Sequence, residues 1–227
     1  MSAFPDQDRK AVYDAIFQRR DIRRFRPEPL PDAILHRLLE AAHHGPSVGF
    51  MQPWNFVVVR DQDMKARVKA LFDRERQAAS CFYDEPQRSQ YLRLKLEGIM
   101  EAPVNLCVTC DPIRGGVVLG RNAQPETDVY STCCAIQNLW LAARSEGIGV
   151  GWVSILKLAQ LRKILGIPPH VIPVAYLCIG YPESFPAEPM LHTEGWRQRL
   201  PLDELIYLDR WGNPPADGLS RPADWAD

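Results

Sequence analysis

Five arginines lie close together near the N-terminus of this 227-residue chain, although its formal net charge is only −1. They are Arg19, Arg20, Arg23, Arg24 and Arg26. Guanidinium groups are planar and permanently charged, and they hold phosphate oxygens through paired hydrogen bonds. The cluster therefore indicates either a phosphate-monoester site or a solvated basic turn. A second pair, Arg197 and Arg199, is distant in sequence and is a candidate for the same pocket.

The six cysteines and five histidines show no spacing typical of a metal site, so we expect none. Cys107 and Cys110 form a C-x-x-C pattern inside a strand-like run, where residues three apart point to opposite faces. We expect both thiols to pack in the core, as free cysteines do in reducing compartments. His43 and His44 end a predicted helix, whose dipole favours them there.

Composition indicates a globular protein, with 46% hydrophobic and 24% charged residues. The near-neutral charge argues against a nucleic-acid or anionic-membrane surface. Residues 1–10 contain no apolar signal core, and no run of roughly 18 apolar residues occurs. We predict a cytoplasmic protein with one domain over residues 1–210. Residues 211–227, dominated by Pro, Gly, Asp and Ser, are expected to form a loose tail.

Apolar periodicity predicts both helices and strands. The predicted helices cover about 8–19, a segment after Pro31, 128–146 and 158–165, and the predicted strands cover 55–59, 104–110 and 171–180. The helix at 128–146 is apolar on most of its circumference, which indicates burial in a core or a subunit interface. The charged helical stretch 63–98 is either a mobile cover over a site, at about 74–97, or a solvated surface hairpin.

The run Gly147-Ile-Gly-Val-Gly-Trp152 imitates a dinucleotide-binding fingerprint. It follows a helix and leads into a strand, however, which reverses the order that such a site requires. We interpret Gly147 as the residue that terminates the helix. The residues after it are expected to approach a strand or a ligand closely.

Three motifs resemble, in order and spacing, the nitroreductase superfamily of FMN proteins. They are Arg19-Arg-Asp-Ile-Arg23, Pro46-Ser-Val-Gly-Phe-Met-Gln-Pro-Trp54 and a basic pair before Leu200-Pro201. The resemblance implies an α/β (α+β) fold with a mixed sheet flanked by helices, in an interlocked homodimer with FMN at its interface. It also implies a set of cofactor-binding positions, namely Arg19, Arg20, Asp21, Ile22, Arg23, Ser47, Gly49, Gly151, Trp152, Arg197 and Arg199.

Most nitroreductases are similar in having a serine where this chain has Asp21. Over about residues 9–207, the chain resembles the branch of the superfamily that makes 5,6-dimethylbenzimidazole, the lower ligand of cobalamin. The motifs that carry this resemblance are Asp21, the loop from Ser47 to Asn55, Leu94-Lys-Leu-Glu-Gly98, Cys107–Asp111 and Val150–Ser154. It implies that reduced FMN, delivered by a separate flavin reductase, and dioxygen are the substrates. The products would be 5,6-dimethylbenzimidazole and erythrose 4-phosphate.

Asp21 and Ser154 are the candidate catalytic residues. A carboxylate beside the ribityl chain can accept a proton, unless Asp21 only pairs with Arg20 or Arg23. The Ser154 hydroxyl either acts at the flavin edge or satisfies a backbone group. Gly49 either leaves room for dioxygen or is a turn glycine.

Two other functions stay open. One is an NAD(P)H-dependent nitroreductase or flavin reductase, and the other is a non-catalytic FMN-binding protein. Asp21 discriminates between them and the synthase, because neither alternative needs a carboxylate against the ribityl group.

Overall fold

The computed structural model describes residues 3–215. These residues fall into two compact units, one up to Ala187 and one from Glu188 onwards. The elements of the first unit are α1 (Asp6–Gln18), α2 (Asp32–His43), a 3-10 turn (Val48–Phe50), β1 (Trp54–Val59), α3 (Gln62–Ser80), α4 (Gln87–Arg93), β2 (Val104–Cys110), α5 (Thr127–Ser145), β3 (Gly149–Val153), α6 (Leu158–Leu165) and β4 (Ile172–Gly180). The second unit contains α7 (Met190–Thr193) and a 3-10 turn (Leu202–Leu205).

The four strands form one sheet in the order β1-β2-β4-β3, and every strand pairing in it is antiparallel. An α+β fold is thereby confirmed. A mixed sheet would also contain parallel pairing. Among the described residues, such pairing occurs outside the four strands, at an isolated bridge between Asp21 and Val150. That bridge brings the N-terminal arginines to the outer edge of β3.

Helices cover both faces of the sheet, and β2 is buried along its whole length. On one face, α2 and α5 pack over alternate strand residues such as Leu106 and Val108. On the other, α3 and α6 pack over Cys107 and Cys178. Cys110 is buried and meets Thr132 of α5. The two thiols of the C-x-x-C pattern therefore pack on opposite faces, as the strand period predicts.

The predicted elements agree with the structure to within two residues, apart from the stretch 63–98, which contains two helices, α3 and α4. The first half of α3 belongs to the core, because Val68, Leu71 and Phe72 are buried. Neither a mobile cover nor a solvated hairpin describes that half. Gly147 and Gly166 follow their helices with φ of 71° and 66°, as helix-terminating glycines do.

α1 differs from the other long helices because it buries none of its residues. The side chains of its apolar stripe stay open, with Val12 51% and Ile16 40% exposed. Among residues 3–215, none of the helices combines the length and the apolar character needed to cross a membrane. Most of the predicted tail, residues 216–227, lies outside the described residues.

Candidate functional site

Residues 19–26, which we call the arginine arm, run beside β3. The Ile22 amide donates to the Val150 carbonyl at 2.9 Å, which fixes the register of the arm. A Cβ on Gly151 would lie 2.0 Å from the Ile22 carbonyl oxygen and 2.7 Å from Arg23 Nη1. A Cβ on Gly149 would lie 2.9 Å from Ile22 Cγ1. The close approach expected after Gly147 is therefore confirmed as one between the arm and the strand.

Asp21 is fixed by two donors that share one carboxylate oxygen. Its Oδ1 accepts from the Trp152 amide at 2.9 Å and from Arg23 Nη1 at 2.7 Å. The side chain of Arg23 is 13% exposed, whereas that of Asp21 is 47% exposed. Oδ2 has no hydrogen bond to any described residue. The carboxylate is therefore held firmly on one side and remains open to a guest on the other.

Arg19 and Arg20 are positioned by Trp140 of α5. The Arg19 guanidinium lies 4.8 Å from the centre of the Trp140 ring, a cation–π contact. The Trp140 indole N–H donates to the Arg20 carbonyl at 3.3 Å. Arg20 itself donates to the Phe17 and Arg19 carbonyls and to that of Ala187. One signal for Trp140 was present in its residue type, since a buried indole needs an acceptor for its N–H.

Two guanidinium donors of the arm are left unsatisfied. The buried Nε atoms of Arg20 and Arg23 have no hydrogen-bond partner within the described residues. Buried donors are normally paired, and an exception calls for an explanation such as a missing ligand. A phosphate supplies several acceptor oxygens and negative charge, so these residues fit the phosphate end of FMN.

The five arginines do not converge, and the two that lie apart, Arg24 and Arg26, are not among the positions that the resemblance implies for the cofactor. Arg26 stacks on the Tyr181 ring at 5.4 Å and pairs with Glu28 at 3.5 Å. Arg24 is exposed, and its carbonyl accepts from the Glu183 amide. The arm is extended, so successive side chains point in different directions. Only its first part, residues 19–23, borders β3 and α5.

Gly98 packs against the arginine arm but was not among the predicted site residues. A Cβ on Gly98 would lie 2.9 Å from the Arg23 carbonyl and 2.7 Å from the Phe25 ring, so only glycine fits there. Cys178 lies nearby, and burial raises the pKa of its thiol to about 12. Gly98 is the last residue of the motif Leu94–Gly98, which carries part of the family resemblance, and this motif was the sequence signal for its role.

Ser154, the residue after β3, is exposed. Its hydroxyl has no hydrogen-bond partner among the described residues, so it does not serve to satisfy a backbone group. It borders a cavity of about 190 Å³ whose wall is mainly apolar and includes Trp152, Leu158 and Val174. Ser154 is thus free to meet a ligand.

Residues 47–52, which we call the Ser47 loop, are held by hydrogen bonds at both ends. Ser47 Oγ accepts from the Gln52 amide at 3.1 Å, and the Val48 amide donates to Ser131 Oγ at 3.2 Å. Gly49 has φ of 57°, and a Cβ there would lie 2.3 Å from Val118 Cγ1. Its positive φ and the contact with Val118 both require glycine at this turn, and a role of Gly49 in leaving room for dioxygen stays a prediction.

The implied cofactor residues form separate groups in one chain. The Ser47 loop contacts α5 at Ser131, whereas the arginine arm contacts α5 at Trp140. Those two positions are about 13 Å apart along a helix that rises 1.5 Å per residue. Arg197 and Arg199 belong to the second unit, where both are exposed.

Comparisons with known proteins agree on one family. The model of the Nitroreductase family matches residues 16–181. The 5,6-dimethylbenzimidazole synthase of Rhodospirillum rubrum is 45% identical over 83% of this chain and 90% of its own length. That of Rhodobacter capsulatus is 41% identical over 88% and 97%, respectively. A crystal structure of oxidised iodotyrosine deiodinase bound to FMN and 3-iodo-L-tyrosine shares the fold, with a TM-score of 0.66 and 23% identity over 77% of this chain and 91% of that one.

Proposed function

This chain belongs to the nitroreductase family, and we propose that it is a 5,6-dimethylbenzimidazole synthase that consumes reduced FMN and dioxygen. Synthases at 45% and 41% identity over nearly their whole lengths support this activity. The observation that carries the step from binding FMN to breaking it is the position of Asp21. Its carboxylate is fixed by Trp152 and Arg23 but is open at Oδ2.

Binding begins with the arginine arm. Arg20 and Arg23 would hold the phosphate, which offers acceptors to their unpaired Nε atoms. Arg19, stacked on Trp140, adds a third positive charge. Arg197 and Arg199 are proposed to complete the phosphate site. Bound reduced FMN supplies the electrons that reduce dioxygen, and its own ring supplies the product.

Asp21 is proposed to accept a proton from the ribityl chain as carbon–carbon bonds break. Oδ1 is occupied by two donors, so Oδ2 is the atom that receives the proton. A base must lie within hydrogen-bond reach of the proton it removes, and these two donors hold the carboxylate in one orientation. The contact with Arg23 thus orients the carboxylate and is compatible with proton transfer.

Ser154 is proposed to act at the edge of the isoalloxazine ring. Its exposed hydroxyl is available as both donor and acceptor. The neighbouring cavity, lined by Trp152 and Leu158 among others, is mainly apolar. The role proposed for Ser154 is to relay a proton to or from reduced oxygen. Gly151 and Trp152 contribute backbone groups along the same edge.

The complete site is proposed to form in an interlocked homodimer. Within one chain the Ser47 loop and the arginine arm contact α5 about 13 Å apart. A second copy would bring its Ser47 loop to the arm of the first. The exposed apolar face of α1, with Val12, Ile16 and Phe17, supports such an interface. We expect the reaction in the cytoplasm, where free thiols and flavin reduced by a separate reductase persist.

One experiment separates the three candidate functions. The protein is mixed with reduced FMN without oxygen, in parallel samples with and without NAD(P)H. Air is then admitted, the products are identified by mass spectrometry, and NAD(P)H consumption is followed by absorbance. The synthase yields 5,6-dimethylbenzimidazole. A nitroreductase or flavin reductase returns oxidised FMN and oxidises NAD(P)H repeatedly, whereas a binding protein returns oxidised FMN without turnover. Recovery of intact FMN alone would contradict the proposal.

A further inference from the structure

The Ser47 loop has a strained backbone. Phe50 and Gln52 have φ of 53° and 48°, in the left-handed region that side chains other than glycine rarely occupy. Such residues persist only where surrounding contacts hold them, and they cluster at functional sites. The contacts that hold this loop therefore identify residues on which its function depends.

Arg114 makes the first of these contacts. Its Nη1 donates to the Gln52 carbonyl and to the Trp54 carbonyl, both at 2.8 Å. Its Nη2 donates to the side-chain oxygen of Asn55. One planar guanidinium group thus ties the strained residue Gln52 to the first two residues of β1. A lysine has no planar fork and cannot reproduce this geometry.

Arg121 makes the second contact. Its Nε donates to Asp128 Oδ1 at 3.1 Å, and the two side chains are only 14% and 4% exposed. Its other nitrogens donate to the Gly116 and Arg114 carbonyls and reach Met51 Sδ at 3.3 Å. Arg121 therefore anchors the segment that carries Arg114 to the first turn of α5 and also contacts the Ser47 loop.

Side-chain packing joins the same two segments. A Cβ on Gly49 would meet Val118, and a Cβ on Gly120 would lie 3.1 Å from Val48. The Ser47 loop and residues 114–121 therefore contact each other closely at Gly49 and Gly120 as well as through the arginines. A displacement of residues 114–121 would move the Ser47 loop with it.

We propose that Arg114 and Arg121 are positioning residues that hold the Ser47 loop in its strained conformation, ready to contact FMN. Neither is assigned to the FMN site itself. The part concerning the loop conformation stands on the contacts above, whereas the part concerning FMN rests on the proposed function. The two parts are therefore measured separately.

The loop conformation is tested by amide hydrogen exchange of the ligand-free protein. Val48 and Gln52 are the reporters, since both amides are hydrogen-bonded to serine hydroxyls. Arg114→Ala is the main variant, because Arg114 is 36% exposed and its ion-pair partner Asp111, 4.0 Å away, keeps 20% exposure to solvent. The control is Arg67→Ala, which removes an exposed arginine on α3. Exchange at both reporters should rise in Arg114→Ala and not in the control.

Rescue distinguishes positioning from general destabilisation. Glycine adopts positive φ without strain, so adding Gln52→Gly to Arg114→Ala should restore much of the lost affinity. We expect Arg114→Ala to weaken binding of oxidised FMN about tenfold, as loss of one contact that holds a strained residue would do. A double variant that binds as weakly as Arg114→Ala would overturn the proposal, and so would unchanged exchange in Arg114→Ala.

The outcomes also separate this proposal from the proposed function. If the wild type makes 5,6-dimethylbenzimidazole but Arg114→Ala leaves exchange unchanged, the positioning role is wrong and the function stands. If exchange rises in Arg114→Ala but the wild type makes no product, the proposed function is wrong, whereas the positioning of the Ser47 loop by Arg114 stands. Faster exchange with unchanged FMN affinity would refute the link between the loop and FMN.

Discussion

The carboxylate of Asp21 accepts a hydrogen bond from the backbone amide of Trp152, 131 residues further along the chain, at 2.9 Å. The donor belongs to the backbone of β3, so its position does not depend on the side chain at 152. Arg23 binds the same carboxylate oxygen. An N-terminal residue is thereby fixed to the edge of the central sheet, and this relationship carries the proposed chemistry.

Replacing Asp21 with asparagine should separate binding from chemistry. Asn keeps an oxygen that can accept from the Trp152 amide, but it cannot take up a proton as a carboxylate does. We expect product formation to fall by about 100-fold or more, the usual contribution of a general base. FMN affinity, measured by fluorescence quenching, should stay within a few-fold of wild type.

The matched control is Glu28→Gln, which removes an acidic side chain paired with Arg26 outside residues 19–23. It should leave both product formation and FMN affinity unchanged. Wild-type rates of product formation in Asp21→Asn would exclude the proton-transfer role. Loss of FMN binding in that variant would instead assign Asp21 to binding.

Gly151→Ala should damage both stability and FMN binding. The new Cβ would lie 2.0 Å from the Ile22 carbonyl, which is backbone and cannot swing away. We expect a loss of about 1–3 kcal/mol in the free energy of unfolding, the usual cost of overpacking, together with weaker FMN binding because the arm is displaced.

Gly147→Ala provides the comparison for Gly151, because nothing lies within 4 Å of its Cβ position. Its φ of 71° costs an alanine about 1–2 kcal/mol but does not touch the arm. Denaturant unfolding and FMN titration of both variants provide the measurement. Equal effects on FMN affinity would show that contact with the arm is not the cause.

The helices and strands could be predicted from the sequence because apolar periodicity is a local property. The strand 104–110 and the helix 158–165 agree with the structure at both ends. Strand order and the bond between Asp21 and Trp152 could not be predicted, since they depend on pairing between distant segments. The five arginines looked equivalent for the same reason, because adjacency in sequence does not reveal that Arg26 faces Tyr181.

Candidate residues for FMN came from motif resemblance, whereas the residues that support them came from the structure. Trp140 was included only as part of an apolar helix, and its contacts with Arg19 and Arg20 require the folded arrangement. The contacts of Arg114 and Arg121 with the Ser47 loop likewise require the folded arrangement. Positive φ at Gln52 has no sequence signal at all.

A charge on the apolar face of α1 should disrupt the proposed homodimer. Ile16 is 40% exposed in the single chain, and an aspartate there would oppose burial against a partner. Ile16→Asp should therefore yield monomers by size-exclusion chromatography with light scattering, and it should lose FMN affinity. The control is Lys10→Gln, a change on the same helix at a charged exposed position. A dimeric Ile16→Asp variant would contradict an interface through α1, and a monomeric wild type that binds FMN would contradict the shared site.

The buried thiols should resist alkylation over a wide pH range. Burial raises the pKa of both Cys107 and Cys178 to about 12, and the reactive species is the thiolate. At about pH 8 iodoacetamide should label the exposed Cys81 and spare both buried thiols. Raising the pH to about 10 should change the labelling of the buried thiols little, because this pH is still below their pKa. Peptide mass spectrometry provides the measurement, with urea-unfolded protein as the positive control. Labelling of Cys178 in the folded state would show that the core beneath Arg23 opens.

The most direct test follows the atoms of the flavin ring. Reduced FMN labelled with ¹³C in its dimethylbenzene ring is mixed with the wild-type protein without oxygen, and dioxygen is then admitted. We expect labelled 5,6-dimethylbenzimidazole, with one FMN lost irreversibly for each molecule of product. Full recovery of labelled FMN in its oxidised form, with no labelled dimethylbenzimidazole, would contradict the proposed synthase activity.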